Sequence, residues 1–183
     1  MIKITREKSR YFLPVRRFSA LIYALLIICF IFVIVFFIKQ LGFGFSIQSS
    51  ASMPKGIYFI GPIKSIHRGD IIIFKPPLTI DAFLIKQRWV PKSGILLKTV
   101  MAIPGDYVCK KNHWVWIGQK KIAYVFEYYQ PNKKLPNSPF CGELKSDQYL
   151  LMSVLNNKSF DGRYFGILNR AHMVGFAHKM IGF

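Results

Sequence analysis

Twenty consecutive residues without a charge, SALIYALLIICFIFVIVFFI (19–38), set the first boundary on this chain. As a helix, about 20 residues cross the ~30 Å of hydrocarbon in a bilayer. A secretory leader also starts basic and turns apolar, but its apolar core runs only about 7–15 residues and ends at small residues. Here the run is longer and continues into Lys39, Gln40 and Leu41, so it reads as a retained anchor. Lys3, Arg6, Lys8, Arg10, Arg16 and Arg17 precede it, and only Lys39 follows directly. Positive residues stay on the cytoplasmic side. The expected organisation is a basic cytoplasmic N-terminus (1–18), a single-pass anchor (19–38) and an outer domain (39–183), which in a bacterium means inner membrane and periplasm.

The formal charge is +18, and beyond the anchor 20 basic residues face seven acidic ones, leaving +13 on the outer domain. Such a surface attracts anionic membrane lipid, at roughly 1 kcal/mol per basic residue close to the headgroups. Nucleic acid is the other usual partner of a basic domain, but an outer domain seldom meets it, and none is expected. Cys29 lies in the span and reads as a small apolar residue. Cys109 and Cys141 both fall in the outer domain, where oxidation is permitted and they could pair. Their spacing fits no metal pattern, and His67, His113, His172 and His178 are scattered. Neither metal nor cofactor is expected.

After the anchor the chain reads as β structure. GIYFIG (56–61), GDIIIF (69–74), AFLIKQRWV (82–90), GILLKTVMAI (94–103), HWVWIG (113–118), QYLLMSVL (148–155) and HMVGFAHKM (172–180) are short runs rich in β-branched and aromatic residues. RGD, KPP, PKSG and IPGD punctuate the earlier ones. The proline-rich stretch 128–147 reads as a long surface excursion, and no convincing amphipathic helix follows the anchor. The expectation is one mainly-β domain of short strands with one N-terminal transmembrane helix.

QSSASMPKGIYFI (48–60) then stands out, with three serines in four residues and a rigid proline just past the membrane. A spacer needs none of this, whereas a nucleophile presented at the membrane surface does. A serine hydroxyl needs a base: a histidine backed by a carboxylate, or a neutral lysine. The scattered histidines give a triad no support. Most lysines sit in polar surroundings, but Lys98 stands among Leu96, Leu97, Val100 and Met101. Alternation puts it on the face of Leu96 and Val100. Burial there would disfavour its charge; equally, an edge-strand lysine could run its stem along apolar surface. The pattern leaves both open.

SASMPKG (50–56), RGDIIIF (68–74), LLKTVMAIPGD (96–106) and SFDGRYFG (159–166) occur in the order of the boxes of type I signal peptidases, membrane-anchored serine–lysine proteases. The Met-Pro-Lys-Gly after the serine and the SFDGRYFG box resemble the TraF branch, which matures pilin subunits for conjugative transfer. The resemblance spans about residues 46–176 and implies a signal-peptidase-like catalytic β domain. It implies Ser52 as the nucleophile and Lys98 as the general base. Ser50 is implied as an oxyanion-hole donor with the Ser52 backbone N–H, worth roughly 3–4 kcal/mol. Ser159 would orient the lysine amine, Asp161 and Arg163 would form a supporting charged pair, and Met53 and Pro54 would shape the substrate-pocket wall.

Three positions depart from the pattern. Thr99 replaces the usual basic residue after the lysine, Gly162 replaces the usual serine between aspartate and arginine, and SVLNNK (153–158) replaces Gly-Asp-Asn. The implied substrate is a pilin precursor or another signal-peptide-bearing chain, released by hydrolysis or by cyclisation. A general signal peptidase, and a non-catalytic assembly protein of a secretion or conjugation apparatus, are the alternatives.

Overall fold

A computed structural model describes residues 15–90, 94–153 and 155–183. They divide into two compact units, up to Leu41 and from Gly42 onward. In the first, helix α1 spans Val15–Gln40. Its large apolar side chains from Leu21 to Ile38 are exposed, and Ser19–Gln40 is long and apolar enough to cross a membrane.

The second unit is mainly β. Strands β1 (Gly44–Gln48), β2 (Gly56–Gly61), β3 (Ile71–Phe74), β4 (Leu96–Ala102), β11 (Gln148–Met152), β12 (Leu168–Asn169) and β13 (Met173–Gly182) form one sheet, in the order β1-β2-β13-β3-β4-β11-β12. A second sheet runs β10-β5-β6-β7, from Cys141–Glu143, Tyr107–Lys111, Trp114–Ile117 and Lys120–Tyr124. Alternation is visible in β2, where Tyr58 and Ile60 are buried and Ile57 and Phe59 half-buried, as a half-covered strand requires. Gly56 opens this strand because a Cβ there would lie 2.1 Å from the Ile181 carbonyl of β13. Ile72, Phe74, Val100, Leu151 and Phe165 fill the centre of one core cluster, while Val108, Val115, Leu150 and Met152 join the two sheets.

The segment read as a strand at 82–90 is instead mostly helix: α2 spans Leu78–Lys86, with Arg88 at positive φ just beyond it. The physical reason lies upstream of the quoted run. Pro77 starts the helix, and Ile80 and Leu84, four apart, are its buried residues; that spacing repeats at a helical period and not at two. The excursion at 128–147 also carries more order than expected. Strands β8 (Tyr128–Gln130) and β9 (Lys133–Lys134) pair with each other, and β10 pairs with β5. Cys109 and Cys141 lie directly opposite in that ladder and form a disulfide. Residues 44–48 form the edge strand β1, antiparallel to β2.

Candidate active site

The β1–β2 connection carries Ser50, exposed, and Ser52, half-buried. Their hydroxyls are 3.0 Å apart, and the Gln48 side-chain amide donates to Ser50 Oγ at 2.6 Å and to the Ser50 carbonyl at 3.1 Å. Met53 turns inward to pack with Tyr58, Ile73 and Leu97, and Pro54 gives its carbonyl to the Tyr58 hydroxyl at 2.7 Å. Neither is among the residues that line the cavity at Ser52, where both were expected as its wall. Thr99 Oγ1 reaches Met53 Sδ at 3.8 Å, which gives the residue in place of the usual basic one a packing role.

Lys98 comes from β4, an interior strand between β3 and β11, so it is not an edge residue. Only 3% of it is exposed, and its Nζ donates to Ser159 Oγ at 3.0 Å. Burial lowers its pKa from 10.5 to about 8; the Asp161 carboxylate pulls it up and the Arg163 guanidinium pushes it down again. The reason the pull is weak is visible in the geometry. Arg163 clamps Asp161 in two bonds, Nε to Oδ1 at 2.8 Å and Nη2 to Oδ2 at 2.7 Å, with both residues fully buried. A bidentate partner spends the carboxylate's field locally, so desolvation decides the state of the lysine.

The short helix α3 (Gly162–Phe165) exists to hold this pair. Asp161 caps it by accepting from the Arg163 backbone N–H at 3.1 Å. Gly162 is needed because a Cβ would stand 2.7 Å from both the Leu151 carbonyl and Leu150 Cδ1, so a serine there would force β11 to move. Arg163 also donates to the carbonyls of Ser153, Asn156 and Asn157 at 2.8–3.1 Å, organising the loop that replaces Gly-Asp-Asn.

Ser153 is the residue that sequence reading missed. It is 1% exposed, its N–H donates to Asp161 Oδ2 at 2.9 Å, and its hydroxyl donates to the Ser52 carbonyl. It therefore ties the Ser52 turn to the buried ion pair. Nothing in SVLNNK marks it; the contact spans 101 residues and exists only in the folded chain.

Ser50, Ser52, Lys98, Ser159 and Phe160 line one open cavity of about 240 Å³, with Leu84, Trp89, Val90 and Leu96 as its apolar wall. Ser52 and Lys98 share this space but are not hydrogen bonded to each other; the Ser52 hydroxyl is engaged with Ser50 instead. Elsewhere, Arg68 Nε donates to Asp106 Oδ2 at 2.9 Å, joining the RGD and PGD boxes behind β4. Among the described residues no cluster of three metal-ligating side chains occurs.

Residues 15–181 match the family described as signal peptidase, peptidase S26. A plasmid transfer protein TraF from Escherichia coli is 26% identical over 147 residues, covering 72% of this chain and 79% of that one. Signal peptidase I V of Bacillus subtilis (strain 168) is 23% identical over 122 residues, covering 61% and 64% respectively. A crystal structure of a signal peptidase I from Enterococcus faecalis V583 superposes with a TM-score of 0.36 at 19% identity, covering 62% of this chain and 97% of that one. That superposition is too loose to carry an argument.

Proposed function

The chain belongs to the signal peptidase family, peptidase S26, and from that premise we propose that it is a membrane-anchored serine endopeptidase acting through Ser52 and Lys98. The observation that carries the reading is the Lys98 amine: buried on an interior strand, held by Ser159, and facing the same cavity as Ser52. A lysine in that setting can be neutral near physiological pH, which is what a base for serine requires. Lys98 takes the Ser52 proton as Oγ attacks the scissile carbonyl. Ser50 Oγ, already 3.0 Å from Ser52 Oγ, and the Ser52 N–H hold the oxyanion. Lys98 then gives the proton to the departing amine, leaving an acyl-enzyme on Ser52. The mechanism requires the Ser52 hydroxyl to exchange its Ser50 partner for Lys98 when substrate binds.

The substrate we propose is a pilin precursor of a conjugative system, in line with the SFDGRYFG box and with a relative named for plasmid transfer. Water resolves the acyl-enzyme to a linear product; the precursor's own amino terminus, if held close, resolves it to a ring. Helix α1 is the anchor, with residues 1–18 in the cytoplasm and the β domain outside. The domain offers lipid an apolar sheet face: Phe45 and Ile47 of β1 are 72% and 71% exposed, and Ile181 lies in register with Ile57 beside them. Its net charge of +13 draws it to anionic headgroups.

The test is intact-mass spectrometry of a small pilin precursor incubated with membranes carrying the wild-type or the Ser52→Ala chain. A trimmed product one water lighter than the linear peptide, absent with the variant, is expected for a cyclising peptidase. A linear product that still depends on Ser52 makes it a hydrolase of the general signal-peptidase kind. An unchanged precursor, together with no labelling of Ser52 by a serine-reactive probe, makes it a silent assembly protein and sinks the reading.

A further inference from the structure

A second cavity, of about 260 Å³, opens beside the one that holds Ser52 and Lys98. Its wall includes Trp89, Phe126, Tyr128, Tyr129, Phe160 and Tyr164. Trp89, Lys158 and Phe160 line both cavities, so the two adjoin. The rings form a fixed lattice. Trp89 meets Tyr129 edge-on at 4.9 Å, Phe160 stacks on Tyr164 at 5.3 Å and on Phe83 at 5.7 Å, and the Tyr129 hydroxyl donates to Gln87 Oε1 at 2.6 Å. Yet Trp89, Phe126 and Tyr128 remain 42%, 37% and 51% exposed. Large rings left wet around a concave wall mark a binding surface more than a core.

We infer that this cavity is a substrate subsite that takes one large aromatic side chain of the precursor, at a position away from the scissile bond. The inference rests on the peptidase reading above, because the wall shared with the Ser52 cleft is what identifies the occupant as the same chain. Ring edges and faces at these spacings favour another ring over a branched aliphatic group. The walls are already ordered, so little freedom is lost when the ring enters. Lys158, on the rim common to both cavities, faces a carbonyl or acidic group of the chain as it passes from one to the other. The subsite would add selectivity for a side chain of the precursor that lies outside the cleft at Ser52.

Internally quenched peptides test this, each with alanine before the scissile bond and a single phenylalanine walked through every other position. Cleavage is measured with the purified full chain in detergent, and binding to the Ser52→Ala chain by fluorescence anisotropy. At one fixed position phenylalanine should raise kcat/KM, and tighten binding, about tenfold or more over alanine. Tyr128→Ala and Phe126→Ala should each cut that ratio to within about threefold of unity. Ser52-dependent cleavage with no aromatic preference overturns the subsite and leaves the peptidase standing. An aromatic preference in binding without cleavage keeps the subsite and overturns the peptidase. A preference undiminished in both variants places the ring elsewhere and overturns the subsite as well, and no binding or cleavage overturns both.

Discussion

Ser50 and Ser52 stand on a turn where their hydroxyls are hydrogen bonded only to Gln48 and to each other. Lys98, Ser153, Ser159, Asp161 and Arg163, by contrast, are each no more than 3% exposed, with one hydrogen bond joining Lys98 to Ser159 and five joining Ser153, Asp161 and Arg163. On the proposed mechanism the difference follows from two jobs. A nucleophile has to be reached by a polypeptide, so its turn stays open. A lysine has to lose its proton to act as a base, so it must be kept from water while its neighbours' charges cancel. One hydroxyl, on Ser153, joins the dry half to the wet half.

The sharpest way to break this contrast is to remove either reacting group. Ser52→Ala and Lys98→Met should each lower kcat/KM by about 10³-fold or more in a peptide-cleavage assay. Their stabilities should separate: Lys98→Met relieves the burial of an ionisable group and should hold or raise the Tm, while Ser52→Ala leaves it within about 0.5 kcal/mol.

Next comes the cancellation of charge. Arg163→Met leaves the Asp161 carboxylate buried without its partner and should cost about 3–5 kcal/mol, read as a lower urea midpoint. The unneutralised carboxylate then pulls the Lys98 pKa upward, so whatever activity survives should move to higher pH. An unchanged pH profile would mean that Arg163 only braces the loop.

Smaller in effect is pH itself. With the Lys98 pKa at about 8, roughly one molecule in ten carries the neutral base at pH 7. Activity should therefore rise through pH 8, level off above it, and be lost as pH falls. The same depression makes the fold gain stability as pH climbs from about 8 to 10.5, where folded Lys98 is neutral but the unfolded side chain still binds a proton. Denaturant midpoints taken across that window should show the slope, and Lys98→Met should flatten it.

The mildest change is Ser153→Ala. It removes one hydrogen bond to the Ser52 carbonyl, worth about 1 kcal/mol, and should lower kcat about fivefold while leaving the position of the pH profile alone. A shift of that profile would show instead that Ser153 acts on Lys98 through Asp161.

What could be read in advance divides along the same line. Ser52, Lys98, Ser159, Asp161 and Arg163 sit in boxes whose order is a linear property of the chain, and the structure gathers them around one cavity and the polar cluster behind it. The apolar N-terminal helix and the mainly-β domain were legible because length without charge and alternation are also local. Helix α2 was not, since its buried pair Ile80 and Leu84 straddles the start of an apolar run that, taken from Ala82, looks like a strand. Ser153 was invisible for a different reason: its function is a contact with Ser52 made only after β11 has docked on β4. Met53 was misplaced because adjacency in sequence to a nucleophile does not say which way a side chain turns, and the apolar choice was inward.

The Cys109–Cys141 bond has a consequence for when the molecule becomes complete. It closes a separation of 32 residues that holds β6 to β9 together with Phe126, Tyr128, Tyr129 and Leu135. A loop of that length is worth about 3–4 kcal/mol in chain entropy, and cytosolic thiols do not supply it. On the proposed topology the domain acquires this share only after translocation. Oxidation would then work as a licence issued by location: a copy stranded inside the cell would keep Ser52 and Lys98 but lack the tether on the segment that carries Phe126, Tyr128 and Tyr129.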